Sequence, residues 1–368
     1  MRGRVTGQTQ FFLTINLEDR IPANHPLRAI KKRCDAILKE MQPDFSAAYS
    51  RMGRRSVPPE QLLKAMLLQA LYSIRSETQL MQQIDFNLLY RWFLDLGDEP
   101  AWVPETFCEN RDRFEEFDLV RKFFDRIVAE AITEQLASRD HFTVDGTLIQ
   151  SWASLKSLKR RDGAPEPEKK DDDPGNPTVD FHGQKRTNET HVSSTDPEAR
   201  LARHAKGKEA KLCHSGHVLM ENRNGLIMDV RVDAADGHAE RRAAKEMVKH
   251  VKRRHRVKPK TVGFDTGFDD GEFLEEMEAQ EITPHVPVRQ IGSGPKGGAR
   301  RRAQERMKTK GYSISQRIRK RVEEIFGWCK TVGQLARVKL VGRWKITQEA
   351  LMTGAAYNLL RMSKLKPT

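Results

Sequence analysis

Cysteine is scarce in this chain. The four cysteines among 368 residues, Cys34, Cys108, Cys213 and Cys329, stand far apart without a C-x-x-C pair, which excludes a disulfide scaffold and argues against a structural zinc site. The short cluster CHSGH, with Cys213, His214 and His217, has no distant partner cluster and reads as strand residues, Cys213 and His217 on one face and His214 on the other. Long apolar runs are lacking as well. The cleanest, residues 65–74, is about half of what a membrane-spanning helix needs, and the mean hydropathy is −0.68. No membrane association is expected. The opening MRGRVTGQTQFF lacks the apolar core of a secretory signal, so a cytoplasmic location is expected. No internal repeat is visible, and acid is missing where base is densest.

The formal net charge is +14. Residues 296–345 hold 16 Lys and Arg against Glu305, Glu323 and Glu324, so this one window accounts for nearly all of the excess. A solvated helix usually mixes both signs. A segment this one-sided points to a polyanion, with nucleic acid first. Membrane binding would need an apolar face beside the charge, and GARRRAQERMKTKGYS has none.

The pattern along the chain gives the organisation. After an arm of residues 1–43 with a short amphipathic helix over 27–41, apolar residues recur at helical spacing from Ser56. One helix carries Leu62, Leu63, Met66, Leu67 and Leu71, and a second runs from Ser76 past Trp92 and Phe93. A short third follows Pro104, and a fourth holds Phe123, Phe124, Ile127 and Val128. Residues 44–137 therefore read as an all-helical domain, able to close a core around Leu67, Leu71, Leu88, Trp92, Phe123 and Ile127. At His141 the period changes to two. Residues 138–368 read as a mixed α/β domain: a strand, a flexible polar insertion over about 156–204, a hairpin turning at Asn224-Gly225, a helix, a strand, a helix, a strand and a long helix over 315–330. The fold class is thus α+β and multidomain.

Two aspartates sit in apolar strand sequence, Asp145 in FTVDGT and Asp265 in TVGFDTGF, where a lone carboxylate is costly unless it is paired or metal-bound. The second lies where a strand enters a loop, a usual place for ligand sites in open sheets. On a continuous helix, Gln316, Arg319, Glu323 and Lys330 fall within about 60° of one another, bordering the apolar face, while Glu324 points about 100° further round. Three carboxylates brought together require a counter-charge of the kind that hard divalent cations supply. Two Mg²⁺ ions roughly 3.5–4 Å apart would clamp the attacking and leaving oxygens of a phosphoryl displacement.

With these residues, FTVDGTLIQSW, TVGFDTGFDD and RKRVEEIFGWCK, the chain resembles the DDE (Asp-Asp-Glu) transposases of the insertion-sequence-five group within the insertion-sequence-four superfamily. The likeness extends over residues 45–360. That group carries a Tyr-x2-Arg-x3-Glu-x6-Lys signature; Arg319, Glu323 and Lys330 keep the spacing, and Gln316 stands at the Tyr position. The resemblance implies a ribonuclease-H-like catalytic domain and a helical domain that helps bind the inverted-repeat ends of an insertion sequence. It implies that water activated by Mg²⁺, with Mn²⁺ as a substitute, cuts DNA at the element end, after which the freed 3′ hydroxyl attacks target DNA. Asp145, Asp265 and Glu323 would hold the metals, and Arg319 and Lys330 would contact phosphates. Arg300, Arg301 and Arg302 in the basic window are further candidates for DNA contact. The partner is double-stranded DNA, element ends and target, bound by a homodimer or larger assembly associated with the nucleoid. A DNA nuclease without strand transfer and a non-catalytic DNA-binding regulator are the alternatives.

Overall fold

The computed structural model describes residues 16–50, 52–53, 56–164, 186–203, 207–289 and 297–365. Eight helices come first: α1 (Leu17–Arg20), α2 (Pro26–Glu40), α3 (Gln42–Ala48), α4 (Pro59–Leu71), α5 (Glu77–Phe86), α6 (Leu88–Phe93), α7 (Glu105–Glu116) and α8 (Leu119–Thr133). Prolines in the first turns of α2, α3 and α4 preset φ where an amide would have no partner. Ser76 caps α5 by accepting from the Gln79 amide at 3.1 Å. The second helix of the sequence reading is two, because Asn87 accepts from the Leu89 amide at 3.0 Å and starts a new helix there.

The second half builds β1 (His141–Gln150), β2 (Leu158–Arg160), β3 (His191–Ser193), β4 (Arg200–Ala202), β5 (Lys211–Glu221), β6 (Ile227–Ala234), α9 (Ala239–His255), β7 (Thr261–Gly263), α10 (Gly271–Ala279) and β8 (Thr283–His285). Four helices follow: α11 (Gly297–Met307), α12 (Lys310–Arg319), α13 (Val322–Thr331) and α14 (Arg343–Met362). The main sheet has the order β4-β5-β1-β7-β8, with β6 continuing the edge that β4 occupies on β5. β1 is antiparallel to β5 and parallel to β7, and β7 is parallel to β8. The Asn224-Gly225 turn is present, Gly225 taking a φ of +72°, and the buried Glu221 accepts from the backbone amides of Ser138, Arg223, Asn224 and Leu226.

The structure corrects three further expectations. The flanks of the polar insertion are ordered: β2 pairs with β3, β4 joins the main sheet, and Asp196 accepts from the Ser151 hydroxyl at 2.7 Å and bonds His214 Nε2 at 2.9 Å in a fully buried cluster. Its centre, 165–185, lies outside the described residues. The helix expected over 315–330 is two helices. Between α12 and α13 the amides of Arg321, Glu323 and Glu324 bond the carbonyl three residues back rather than four, a 3₁₀-type turn that advances each residue about 20° more than an α-helix does.

Nor does the helical half close its own core. Leu88 is 39% exposed, and α14 supplies what is missing by packing against α4, α8 and β6. Asn358 pins α14 to the sheet, accepting from the Ile227 amide at 2.8 Å and donating to its carbonyl at 2.7 Å. One hydrophobic cluster therefore runs from α2 through the sheet to α14.

Candidate active site

The β1–β7 register sets the site. Thr143 pairs with Gly263, so Asp145 and Asp265, each two residues further on, leave neighbouring parallel strands at the same level, and the period of two puts them on one face. Asp265 opens a 3₁₀ turn and its carboxylate accepts from the Gly267 amide at 2.9 Å. The Asp145 carboxylate accepts from the Gly146 amide at 2.8 Å and from Arg319 Nη1 at 2.8 Å.

Helix α12 docks on this corner through Gln316, whose Nε2 donates to the Phe264 carbonyl at 3.1 Å and the His285 carbonyl at 2.7 Å. Those carbonyls end β7 and β8, so Gln316 ties the helix to the strand tips beside Asp265. Arg319 Nε reaches Gln316 Oε1 at 3.4 Å. Gln316 is thus a strand-to-helix tie. Gly263 makes the close approach feasible, since a Cβ there would lie 2.8 Å from Ser315 Oγ.

Burial pushes the Asp145 carboxyl above its ordinary pKa, opposed by the Gly146 amide and Arg319 and reinforced by Asp265 and Glu323. Glu323 thus belongs to the electrostatic neighbourhood of Asp145. Glu324 instead acts on Tyr357 of α14, which agrees with its expected place on another face. The carboxylate oxygens form the donor set that a hard divalent cation takes. Among the described residues no three His, Cys, Asp or Glu side chains come close enough together to hold a metal ion, and the cationic partner that Asp145 has is Arg319.

The other candidates are dispersed. Arg300 makes a bidentate pair with Asp269, both bonds 2.8 Å, which anchors α11 to the loop after Asp265. Arg302 pairs with Glu278 at 2.5 Å, joined by Arg306, and Arg301 is exposed. Lys330 is half-buried, and burial lowers its pKa while Cys213 acts the other way. It lines a cleft of about 720 Å³ together with Arg75, Trp152, Arg337 and Lys339. Trp152 is 48% exposed there, with the Arg337 guanidinium 4.5 Å from its ring centre. Sequence reasoning missed Glu240, on the first turn of α9, whose carboxyl pKa is raised by burial, Asp265 and Asp145.

Two family models match the chain, Transposase domain (DUF772) over residues 15–113 and Transposase DDE domain over residues 179–359. The second takes in Asp265 and Glu323 and begins after Asp145. Lying in tandem over about three-quarters of the length, they show that the chain belongs to the DDE transposases, metal-dependent enzymes that cut DNA and transfer its strands. No curated protein matches significantly. Among solved structures it is similar to a Mos1 transposase paired-end complex with left transposon end, at 12% identity over 82% of this chain and 86% of that one, TM-score 0.21. A Mos1 mariner paired end complex with Mn gives 14% identity, 83% and 87% coverage and a TM-score of 0.20. Superpositions this loose assign no role to any residue.

Proposed function

We propose that Asp145, Asp265 and Glu323 are the metal-holding triad of a transposase of the insertion-sequence-five group, on a ribonuclease-H-like domain spanning residues 138–368. The observation that carries the reading is the common level of Asp145 and Asp265 on adjacent parallel strands, with Glu323 in the field of Asp145. A strand order of three antiparallel strands followed by two parallel ones supports the ribonuclease-H-like assignment.

Bound divalent cations, two Mg²⁺ with Mn²⁺ as substitute, would activate the attacking oxygen and stabilise the leaving one. The protein's own residues do the rest. The Gly146 and Gly267 amides orient one oxygen of each aspartate, and Arg319 holds the second oxygen of Asp145. Arg319, steadied by Gln316, screens Asp145 and would offer its guanidinium to a phosphate oxygen of bound DNA. The cleft holding Lys330, Arg337 and Lys339 offers the DNA backbone a cationic path, with Trp152 as an apolar floor. The helical region 44–137 is the DNA-binding domain in this reading. The enzyme acts on element ends and target DNA as a homodimer or larger assembly associated with the nucleoid in the cytoplasm.

The test uses a duplex copying the DNA that flanks the coding sequence. In Mg²⁺ the full chain should nick it at the element end and join the freed 3′ end to a second duplex, and Asp145→Asn and Asp265→Asn should each abolish both steps. Nicking without joining would leave a nuclease. Undiminished activity in both variants would remove the triad.

A further inference from the structure

The cleft that carries Lys330 and Trp152 lies between the two halves of the chain. Arg75, Glu77 and Arg111 line it from the helical half, and Arg337, Lys339 and the second turn of α14 line it from the other. The halves are tied beside it, where the Ser73 hydroxyl donates to the Val332 carbonyl at 2.9 Å.

The wall next to β1 is fixed by main chain. Residues 336–338 run parallel to the end of β1, the Gln150 amide donating to the Ala336 carbonyl at 3.2 Å and the Val338 amide to the Gln150 carbonyl at 3.0 Å. Arg337 is thereby held against Trp152, its guanidinium 4.5 Å from the ring centre, and Lys339 Nζ lies 5.9 Å from that ring. An indole left 48% exposed and flanked by cations is a surface on which an unpaired base can stack while its phosphates meet the charge.

What the cleft has in excess is unmet acceptors. Gln348 is 7% exposed; its Nε2 donates to the Arg111 carbonyl at 3.4 Å, and its Oε1 is buried without a partner among the described residues. The next residue, Glu349, is half-buried, and its Oε2 is equally unpaired. Burial pushes the Glu349 carboxyl up to about 7, against the pull of Arg111 and Lys339. Arg111 is itself engaged by Glu77, so it compensates Glu349 only in part. Orphaned acceptors in a buried wall cost stability. Two on neighbouring residues suit a ligand that brings two adjacent donors.

Among unpaired bases guanine has that edge, with N1–H beside the N2 amino group and O6 next to them as an acceptor for a cation. Adenine and cytosine offer one amino group beside an acceptor ring nitrogen, and thymine one N–H between two carbonyls. Each of these would set an acceptor against Gln348 or Glu349.

We propose that the cleft is a pocket for one unpaired guanine of a DNA strand, stacked on Trp152 and read along its donor edge by Gln348 Oε1 and the Glu349 carboxylate. This rests on the reading of the cleft as part of the DNA path and is independent of the carboxylate triad. Lys330, Arg337 and Lys339 take the flanking phosphates.

Fluorescence anisotropy of labelled single-stranded pentamers, measured on the full chain in EDTA, tests this without metal or catalysis. A thymidine pentamer with guanine at its centre should bind about tenfold more tightly than the all-thymidine strand or those with a central adenine or cytosine. Hypoxanthine, which is guanine without the amino group, should lose most of that preference. Glu349→Ala should bring the four bases to parity, while Glu246→Ala, whose parent side chain pairs with Lys249 at the surface, should keep the parent's order. Trp152→Ala should weaken every strand about tenfold and leave the order unchanged. The comparison of guanine with hypoxanthine uses the parent protein and decides the matter if Glu349→Ala does not fold. Binding without a preference for guanine, a preference that survives hypoxanthine or Glu349→Ala, or parent-like affinity in Trp152→Ala would overturn this proposal and leave the triad untouched. Failure of every strand to bind would remove the DNA path through this cleft as well.

Discussion

Asp145 is pulled in two directions, and the balance makes testable statements about pH. Burial, Asp265 and Glu323 raise its pKa while the Gly146 amide and Arg319 lower it, and the net shift is upward, as it is for Glu240. A raised carboxyl stabilises the cation-free fold while protonated, below its ordinary pKa, and that contribution is lost as the pH rises through the raised value. Glu240→Gln should therefore raise the melting temperature in EDTA near neutral pH, and the gain should vanish at a pH below about 4.5, measured by calorimetry at both pH values. An equal loss at both would mean that Glu240 makes a structural bond. For the basic window, the pairing of Arg300 with Asp269 and Arg302 with Glu278 leaves Arg301 to carry the phosphate contact. Arg301→Ala alone should lower the slope of log affinity against log salt by about 0.9 on duplex DNA, and adding Arg300→Ala and Arg302→Ala should change it little further. Asp145 and Asp265 were legible in the sequence because a carboxylate inside an apolar strand demands a reason. Glu240 was not, since AERRAAKE has the composition of any solvated helix and only the strand register brings it to the aspartates.

At the scale of elements, β1, the β5–β6 pair, β7 and β8 followed from alternation and turn residues, and the Asn224-Gly225 hairpin from the left-handed φ that such a turn requires. Two features escaped. The 3₁₀ turn at Lys320–Arg321 lies in uninterrupted helix-forming sequence, with no proline or glycine to mark it. The ribbons flanking the insertion are three residues each, too short for a period to register, and they are held by the buried Ser151, Asp196 and His214 together with a small apolar cluster of Ala153, Leu158, Ala199 and Leu212. The docking of α12 depends on Gly263. In Gly263→Ala the new methyl would lie 2.8 Å from Ser315 Oγ and 3.4 Å from Thr143 Oγ1, forcing α12 away from β7. The expected cost is about 1–3 kcal/mol in denaturant unfolding, with a loss of DNA cleavage because Gln316 and Arg319 move with the helix. Unchanged stability and cleavage would show that Arg319 does not depend on this contact.

At the scale of the molecule, sequence periodicity separated a helical half from a sheet half but could not show that they share a core. The reason is α14, which lies at the far end of the chain yet packs against α4, α8 and β6, with Gly354 in close contact with Phe124 and Val230. Residues 44–137 expressed alone should lack a cooperative melt, because the faces of α4 and α8 that α14 covers would be open to water, and removal of residues 343–368 should unfold both halves together. A sharp melt in the isolated segment would show an autonomous unit. The account's central claim is that Asp145, Asp265 and Glu323 act together on DNA through divalent cations. Glu323→Gln keeps the size of the side chain and removes the charge, so the measurement that tests the claim most directly is Mg²⁺-dependent cleavage of a duplex copying the DNA that flanks the coding sequence, with affinity for that duplex measured in Ca²⁺. Cleavage should fall by several orders of magnitude with affinity little changed, and Glu324→Gln should cut as the parent does; full cleavage by Glu323→Gln would contradict the account.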